Sequence, residues 1–328
     1  MATVYLGQVF TPSDIVDLMI SLIKNKGDIL EPSAGPGRFS SKLNCTELEI
    51  DPTVARPQAI VTDFFLYPTS NKFDTIIGNP PYLKGKDIPK NTRALLSSSY
   101  PANMNLFVHF IDKCIDHLRD NGELIFIVPR DFIKSSVSTA INEKLFSLGT
   151  ITDLIDLGDE KIFEDAQPNC VIFRYVKNDF SRKTKFSTLK YKGMKLTNSS
   201  ERTFSINKGF LSFVDEDYSV PLSDLFDVFV GAVSGNDSIF HTETYGNVDM
   251  VVSHTRLTKA TRRFIYEVNH PYLLPFKETL LKRKSKLFTE NNWWEWARVS
   301  PDIPSNKIYV NCKTRVPNPF FTHPCNYF

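Results

Sequence analysis

Two hydrophobic periods alternate along the first half of the chain. Between residues 11 and 26, Ile15, Leu18, Met19, Leu22 and Ile23 recur at three- and four-residue spacing, which predicts a helix with one buried stripe. Thr11 is placed to cap it, Pro12 suits the first helical position, Asp14 completes a T-x-x-D capping box and Gly27 offers a stop. The period then shortens. "DILEP", "TELEI", "AIVTD" and "FDTIIG" are brief apolar runs between turn residues and read as strands. "NLFVHFIDKCIDHL" returns to helical spacing, "ELIFIVP" is a buried strand, "INEKLFSL" is helical, and "ITDLIDL" and "NCVIFRYV" are strands. Strands alternating with helices predict an α/β fold with a mostly parallel sheet, and the two successive late strands predict an antiparallel edge.

After about residue 178 the pattern changes. "FSRKTKFSTLKYKG" and "KLTNSSERTFS" are rich in Lys, Ser and Thr, and "PLSDLFDVFVGAVSGNDSIF" starts something new, so a domain boundary is expected near residue 218. No internal repeat or low-complexity tract is present.

Composition narrows the class. Hydrophobic residues make up 41% and charged residues 23% of the 328, as in soluble globular proteins. No run reaches the roughly 20 apolar residues a membrane span needs, and "MATVYLGQVF" lacks the basic and long apolar segments of a signal peptide. Cys45, Cys114, Cys170, Cys312 and Cys325 include no C-x-x-C pair, which fits a reduced, intracellular setting. The net charge of +2 is uneven: residues 1–176 hold 17 Lys/Arg against 22 Asp/Glu, leaving 22 against 15 for residues 177–328. A polyanion partner for the second half is one reading; ordinary surface variation is the other.

The candidate chemistry lies at strand ends, where open α/β sheets bind ligands. "LEPSAGPGRF" leaves a strand at Glu31 and Pro32 and turns through Gly35 and Gly37. It lacks the G-x-G-x-x-G and P-loop phosphate signatures, so it is either a nucleotide-like site without phosphates or a plain turn. "ELEIDP" puts Glu49 where a ribose diol is held, or on the surface. "VTDFF" offers Asp63 to an adenine amine with Phe64 and Phe65 beside it, at least one of the two rings being core. "FDTIIGNPPY" ends in two prolines that neither a helix nor a central strand admits, displaying Asn79 and Tyr82 on a rigid turn.

The ordered set "GQVFTP", "ILEPSAGPGRF", "LEIDP", "VTDFF" and "IIGNPPY" resembles the γ-class DNA adenine-N6 methyltransferases of restriction-modification systems, closely over the first half and loosely beyond it. The resemblance implies a Rossmann-like, S-adenosylmethionine-dependent catalytic domain over 1–218 and a smaller mixed α/β target-recognition domain over 219–328. It implies that Thr11, with Pro12 beside it, and Glu31 and Pro32 face the cofactor's methionine part. Glu49 would face its ribose, and Asp63 and Phe64 its adenine. Asn79, Pro80 and Tyr82 match the catalytic motif, with Asn79 also at the cofactor, and Phe163 in "KIFEDAQPNCVIF" matches the ring that stacks on a flipped base opposite Tyr82. No metal is implied.

In the second half, "VGAVSGNDSIF" resembles the start of the family's recognition domain, with Gly231, Gly235 and Asn236 in a tight loop. Arg262, Arg263, Lys282, Arg283 and Lys284 suit phosphate contacts, the run 282–286 being otherwise a solvated helix face. Trp293, Trp294 and Trp296 read as core. Pro324-Cys325 and His323 lack the context for nucleophilic or zinc chemistry. The family's recognition domain usually continues beyond the point matching "KIYVNCKTRV", so a shortened one is expected here. The expected partners are duplex DNA and a cognate restriction endonuclease, for a cytoplasmic monomer in a prokaryotic or virus-infected cell. A protein-glutamine methyltransferase and a non-catalytic DNA-binding remnant are the alternatives.

Overall fold

The apolar stripe near the N-terminus forms helix α1 (Ser13–Ser21), which buries Ile15, Val16 and Met19. Its cap differs from the expectation. Pro12 occupies the N-cap with no side-chain bond, and the Asp14 carboxylate accepts the adjacent Ile15 N–H at 2.8 Å and the Tyr191 hydroxyl at 3.4 Å. The capping box is absent because the Thr11 hydroxyl has another partner, described below. The helix also ends before Gly27: the N–H groups of Lys24 and Asn25 both donate at 2.9 Å to the Glu123 carboxylate, fully buried in the sheet.

This computed structural model describes residues 10–159, 162–163, 169–216, 220, 222–300, 307–311 and 318–328. The chain divides into two compact units, Met1–Ser219 and Val220–Phe328. In the first, β1 (Ile29–Glu31), β2 (Thr46–Glu49), β3 (Ile60–Val61) and β4 (Phe73–Gly78) precede the short helix α2 (Lys90–Arg93) and helix α3 (Leu106–His117). There follow β5 (Leu118–Pro129), α4 (Thr139–Leu148), β6 (Gly149–Asp156) and β7 (Cys170–Lys177), then β8 (Lys183–Lys190), β9 (Lys195–Asn207) and β10 (Phe210–Val214). All ten strands form one sheet in the order β10-β9-β8-β6-β7-β5-β4-β1-β2-β3.

The central strands are buried on both faces, and alternation decides which core each residue joins. Leu124, Phe126 and Val128 of β5, with Ile76 of β4, pack in one cluster with α3. Ile125 and Ile127, with Ile77, pack in the other with α1. Each such side chain contributes about 1.5–3 kcal/mol by leaving water. Asn105 caps α3 by accepting the Phe107 N–H at 3.3 Å. The late strands depart from the sequence expectation. β7 is antiparallel to both neighbours but lies inside the sheet, between β6 and β5. The edge is instead built by β8, parallel to β6, and by the antiparallel β9 and β10.

The second unit is small. β11 (Val248–Met250) pairs antiparallel with β12 (Arg262–Phe264), and β13 (Tyr309–Val310) with β14 (Phe320–Phe321); the helices α5 (Asp237–Phe240), α6 (Thr255–Thr258) and α7 (Lys277–Leu281) are each four or five residues long. Phe240, Phe264, Leu273, Trp293 and Trp296 form its core, and Trp294 packs half-buried against it. Trp296 closes its indole N–H on the Ile265 carbonyl at 2.9 Å. Among the described residues, no helix is long and apolar enough to cross a membrane.

Candidate active site

β1 pairs with β2 on one side and β4 on the other, so the chain reverses its winding between β1 and β4. The carboxyl ends of strands at such a switch point leave a crevice. One cavity opens there, lined by Thr11, Glu31, Pro32, Glu49, Asp63, Phe64 and Asn79 together. These sequence-singled residues come from five separate stretches.

The turn after β1 is held to β2 by main-chain bonds: Ala34 N–H donates to Leu48 O at 2.8 Å, and Gly35 N–H to Glu49 Oε2 at 2.6 Å. Gly35 has φ +55°, a conformation that glycine adopts without strain. Glu49 is 4% exposed, and its other oxygen accepts the Asp51 N–H at 2.9 Å. Its orientation is thereby set by the backbone on both sides. The Asp51 carboxylate is used within its own turn, bonding Thr53 N and Oγ1, which holds its pKa below the usual value. Glu31 is 1% exposed, and Ser40 N–H donates to its Oε2 at 2.9 Å. Burial pushes its carboxyl up to about 8.

Asp63 caps the turn Phe64–Leu66 by accepting the Phe65 N–H at 2.9 Å, and its other oxygen accepts the Thr92 hydroxyl at 2.6 Å. Phe64 is buried and stacks on Phe110 (centroids 4.9 Å apart, planes at 27°), with the Lys113 ammonium 5.1 Å from its ring. Phe65 meets Phe110 edge-on and stays half-buried. At β4's end, the Asn79 amide donates to Thr11 Oγ1 at 3.1 Å, which explains the missing helix cap. The Asn79 carbonyl accepts the Ser33 hydroxyl at 3.3 Å. Asn79 and Pro81 line the cavity; Pro80 and Tyr82 do not. Tyr82 anchors its hydroxyl on the Ile127 carbonyl at 2.8 Å.

The two rings expected to face a flipped base lie against each other. Tyr82 and Phe163 meet edge to face, with centroids 6.5 Å apart and planes at 75°, and Phe163 is 2% exposed. A base between two parallel rings needs a slot of about 7 Å, twice the aromatic contact distance. The present edge-to-face arrangement is not that parallel slot. Several lining residues carried no signal in the sequence reading. Thr92 and Phe110 reach the cavity from α2 and α3, Arg38 stands exposed at its rim, and Ile50, directly after Glu49, keeps 43% of its surface exposed there. An apolar residue following an inward acid is the one signal that could have been read.

The second unit uses its basic residues unequally. Arg283 was expected to contact phosphate. Its guanidinium is instead used inside the unit, donating to the carbonyls of Ser234, Leu280, Trp293 and Glu295 and stacking 3.7 Å from the Phe288 ring centroid. Burial lowers its pKa to about 10. Arg263 is also engaged, with Nε on the Gly246 carbonyl at 2.7 Å and NH1 3.6 Å from Asp249. Arg262, Lys282 and Lys284 are exposed. Gly235 turns at φ +79° against the Arg283 stem, and Asn236 N–H donates to Ser234 Oγ at 3.0 Å.

The cavity suits an adenosine bearing a cationic tail. Three inward acidic side chains offer acceptors to hydroxyl, amine and ammonium donors and disfavour phosphates, and aromatic and aliphatic side chains supply an apolar slot. The first unit is an α/β fold built on one large mixed sheet. Among solved structures, the chain is similar to the type IIL restriction-modification enzyme MmeI, solved in complex with DNA. The TM-score is 0.58 at 12% identity, over 88% of this chain and 54% of that one. A nuclease-deletion mutant of the type ISP enzyme LlaGI gives 0.51 at 14% identity, over 71% and 34%. Residues 23–163 match the Eco57I restriction-modification methylase family. The type II methyltransferase M.HincII of Haemophilus influenzae is 35% identical over 52% of this chain and 37% of its own. M.AccI of Acinetobacter calcoaceticus is 26% identical over 67% of this chain and 45% of its own. The chain thus spans less than half the length of these relatives.

Proposed function

We propose that this chain is a type II DNA methyltransferase that methylates the exocyclic N6 of adenine in a specific duplex site, as the modification half of a restriction-modification system. The observation that carries the reading is the position of Asn79-Pro80-Pro81-Tyr82 at the β4 terminus, its amide tied to Thr11 at the cavity edge. S-Adenosylmethionine, when bound, supplies a methyl group activated on a sulfonium. Thr11, Glu31 and Pro32 would hold its amino-acid end, Glu49 its ribose, and Asp63, Phe64 and Ile50 its adenine.

The adenine amine is a poor nucleophile because its lone pair is delocalised into the ring. The Asn79 side-chain oxygen and the Pro80 carbonyl accept its two hydrogens and favour a tetrahedral nitrogen. The prolines keep both acceptors fixed, so little reorganisation is needed in the reaction. Tyr82, tethered through its hydroxyl, offers one stacking face to a base turned out of the helix, which costs a few kcal/mol. Exposed Arg262, Lys282 and Lys284 in the second unit suit phosphate contacts that position the duplex.

The test is transfer of labelled methyl from S-adenosylmethionine to genomic DNA free of adenine methylation, followed by digestion to nucleosides. Label in N6-methyladenine, lost in Asn79→Ala, is the expected result. Label in another nucleoside or in a protein acceptor overturns the reading.

A further inference from the structure

Beneath the end of β1, a line of side chains runs from Glu31 to three residues that the transfer chemistry does not use. Glu31 faces the cavity, and the Ser40 N–H donates to its carboxyl at 2.9 Å, with the Ser40 hydroxyl acting electrostatically on the same group. Ser40 is 6% exposed, and its Oγ accepts Arg56 NH1 at 3.0 Å. The same NH1 lies 3.3 Å from Glu47 Oε1 on β2. Glu47 is 5% exposed, and among the described residues its Oε2 has no hydrogen-bond partner. The Arg56 stem crosses directly over Gly37, where a Cβ would overlap the Arg56 Cδ and come within 2.8 Å of Ser40 Oγ. With φ +80°, that position admits glycine for two reasons, and one of them is to let Arg56 reach Ser40.

The charge balance is incomplete. Facing Glu31 are Glu47, the Cys45 thiol just before it, and Arg56 beyond Ser40. Burial pushes the thiol up to about 12, so it stays neutral. That leaves two buried carboxyls and one guanidinium, and Arg56 is nearer Glu47. A second buried carboxylate without a cation is costly, so Glu31 keeps its proton. Its carboxyl is pushed up to about 8 by burial first, with Glu47 adding repulsion against the Ser40 bonds.

We propose that Glu31, Ser40, Arg56 and Glu47 form a relay that couples binding of the cofactor's α-ammonium to release of one proton from Glu31. Arg56 and Glu47 are positioning residues that set the pH of that release. The inference rests on the S-adenosylmethionine reading of the cavity. The protonated Glu31 carboxyl and the incoming ammonium become a carboxylate–ammonium pair, and the proton leaves to solvent. Arg56 takes up a lone pair of Ser40 Oγ, so the hydroxyl hydrogen is directed at Glu31.

Titration calorimetry on the full chain, in two buffers of different ionisation enthalpy, tests this. S-Adenosylmethionine should release close to one proton between pH 6 and 7, with affinity rising about tenfold per pH unit and release fading above pH 8. Methylthioadenosine, which lacks the ammonium, should bind with none. Glu47→Gln should move the fade-out about one pH unit down and Arg56→Gln about one unit up. A merely structural role for either residue would move affinity without moving that midpoint. Binding of S-adenosylmethionine with buffer-independent heat overturns the relay and leaves the cofactor site standing. Unmoved midpoints in both variants overturn the positioning roles. Absence of any binding overturns the site reading and the relay with it.

Discussion

Glu49 in the first unit and Arg283 in the second are both charged side chains held by main-chain groups, and the outcome is opposite. Two backbone N–H groups orient Glu49, and its carboxylate stays on the wall of a cavity. Four carbonyls take up the guanidinium of Arg283, and its charge serves the unit's own packing. The difference lies in capacity. A carboxylate has about four lone-pair sites, so two bonds orient it and leave it available to a ligand. A guanidinium has five donors, and four bonds inside the protein leave little to offer outside. A charged residue at a strand end is therefore a stronger functional signal than one inside a basic run.

Asn79→Ala carries the largest expected effect. Under the proposed function it should lower methyl transfer about 10²–10³-fold, as for loss of one preorganised polar group. The expected counterpart is retention of S-adenosylmethionine binding by equilibrium dialysis. A variant with wild-type transfer would detach the β4 terminus from the chemistry.

Glu31→Gln gives the next largest effect, and its sign depends on pH. The folded-state carboxyl is raised from 4.5 to about 8, so the native state binds the extra proton between those values. Unliganded wild type should lose up to a few kcal/mol of stability as pH rises through that window. Glu31→Gln should remove that slope and be more stable than wild type at pH 8.5. Urea unfolding at pH 5 and pH 8.5 measures both.

Arg283→Met sharpens the second side. It leaves the carbonyls of Ser234, Trp293 and Glu295 without their donor and should cost about 2–4 kcal/mol, read as a lower urea midpoint for the second unit. Lys284→Ala, by contrast, should leave stability within about 0.5 kcal/mol. It should weaken DNA binding uniformly and reduce its salt dependence by about one counterion. The smallest expected effect is Thr92→Val: loss of the hydroxyl on Asp63 should weaken S-adenosylmethionine about fivefold, near 1 kcal/mol, and Thr92→Ser should restore it.

Much of the first unit was legible because its signals are local. The runs "FDTIIG" and "ELIFIVP" carry unbroken apolar stretches because β4 and β5 are buried on both faces, and the acids at the ends of β1, β2 and β3 stand out against such runs. β8 to β10 were not legible. Along β9, Phe204 alone is buried, so no alternation marks a strand whose hydrogen-bonding partners, rather than its side chains, fix it. The inward placement of β7 was hidden as well, since two adjacent apolar runs specify neither which sheet neighbours they take nor in which direction. The partner of Thr11 is hidden for a related reason: a hydroxyl before a helix suits a cap and a distant amide equally, and Asn79 is 68 residues away.

The alternation of strands and helices, the polar residues at the strand ends and the rigid Asn79-Pro80-Pro81-Tyr82 turn follow from residue order, because hydrophobic period, glycine and proline act over a few residues. The tertiary structure alone decided the strand order that brings those ends to one crevice. It likewise decided the burial of Arg283, the edge-to-face packing of Tyr82 on Phe163, and the line from Glu31 through Ser40 and Arg56 to Glu47. Each of these depends on the environment that residues distant in the chain create, and desolvation and hydrogen-bond competition are set by that environment rather than by residue type.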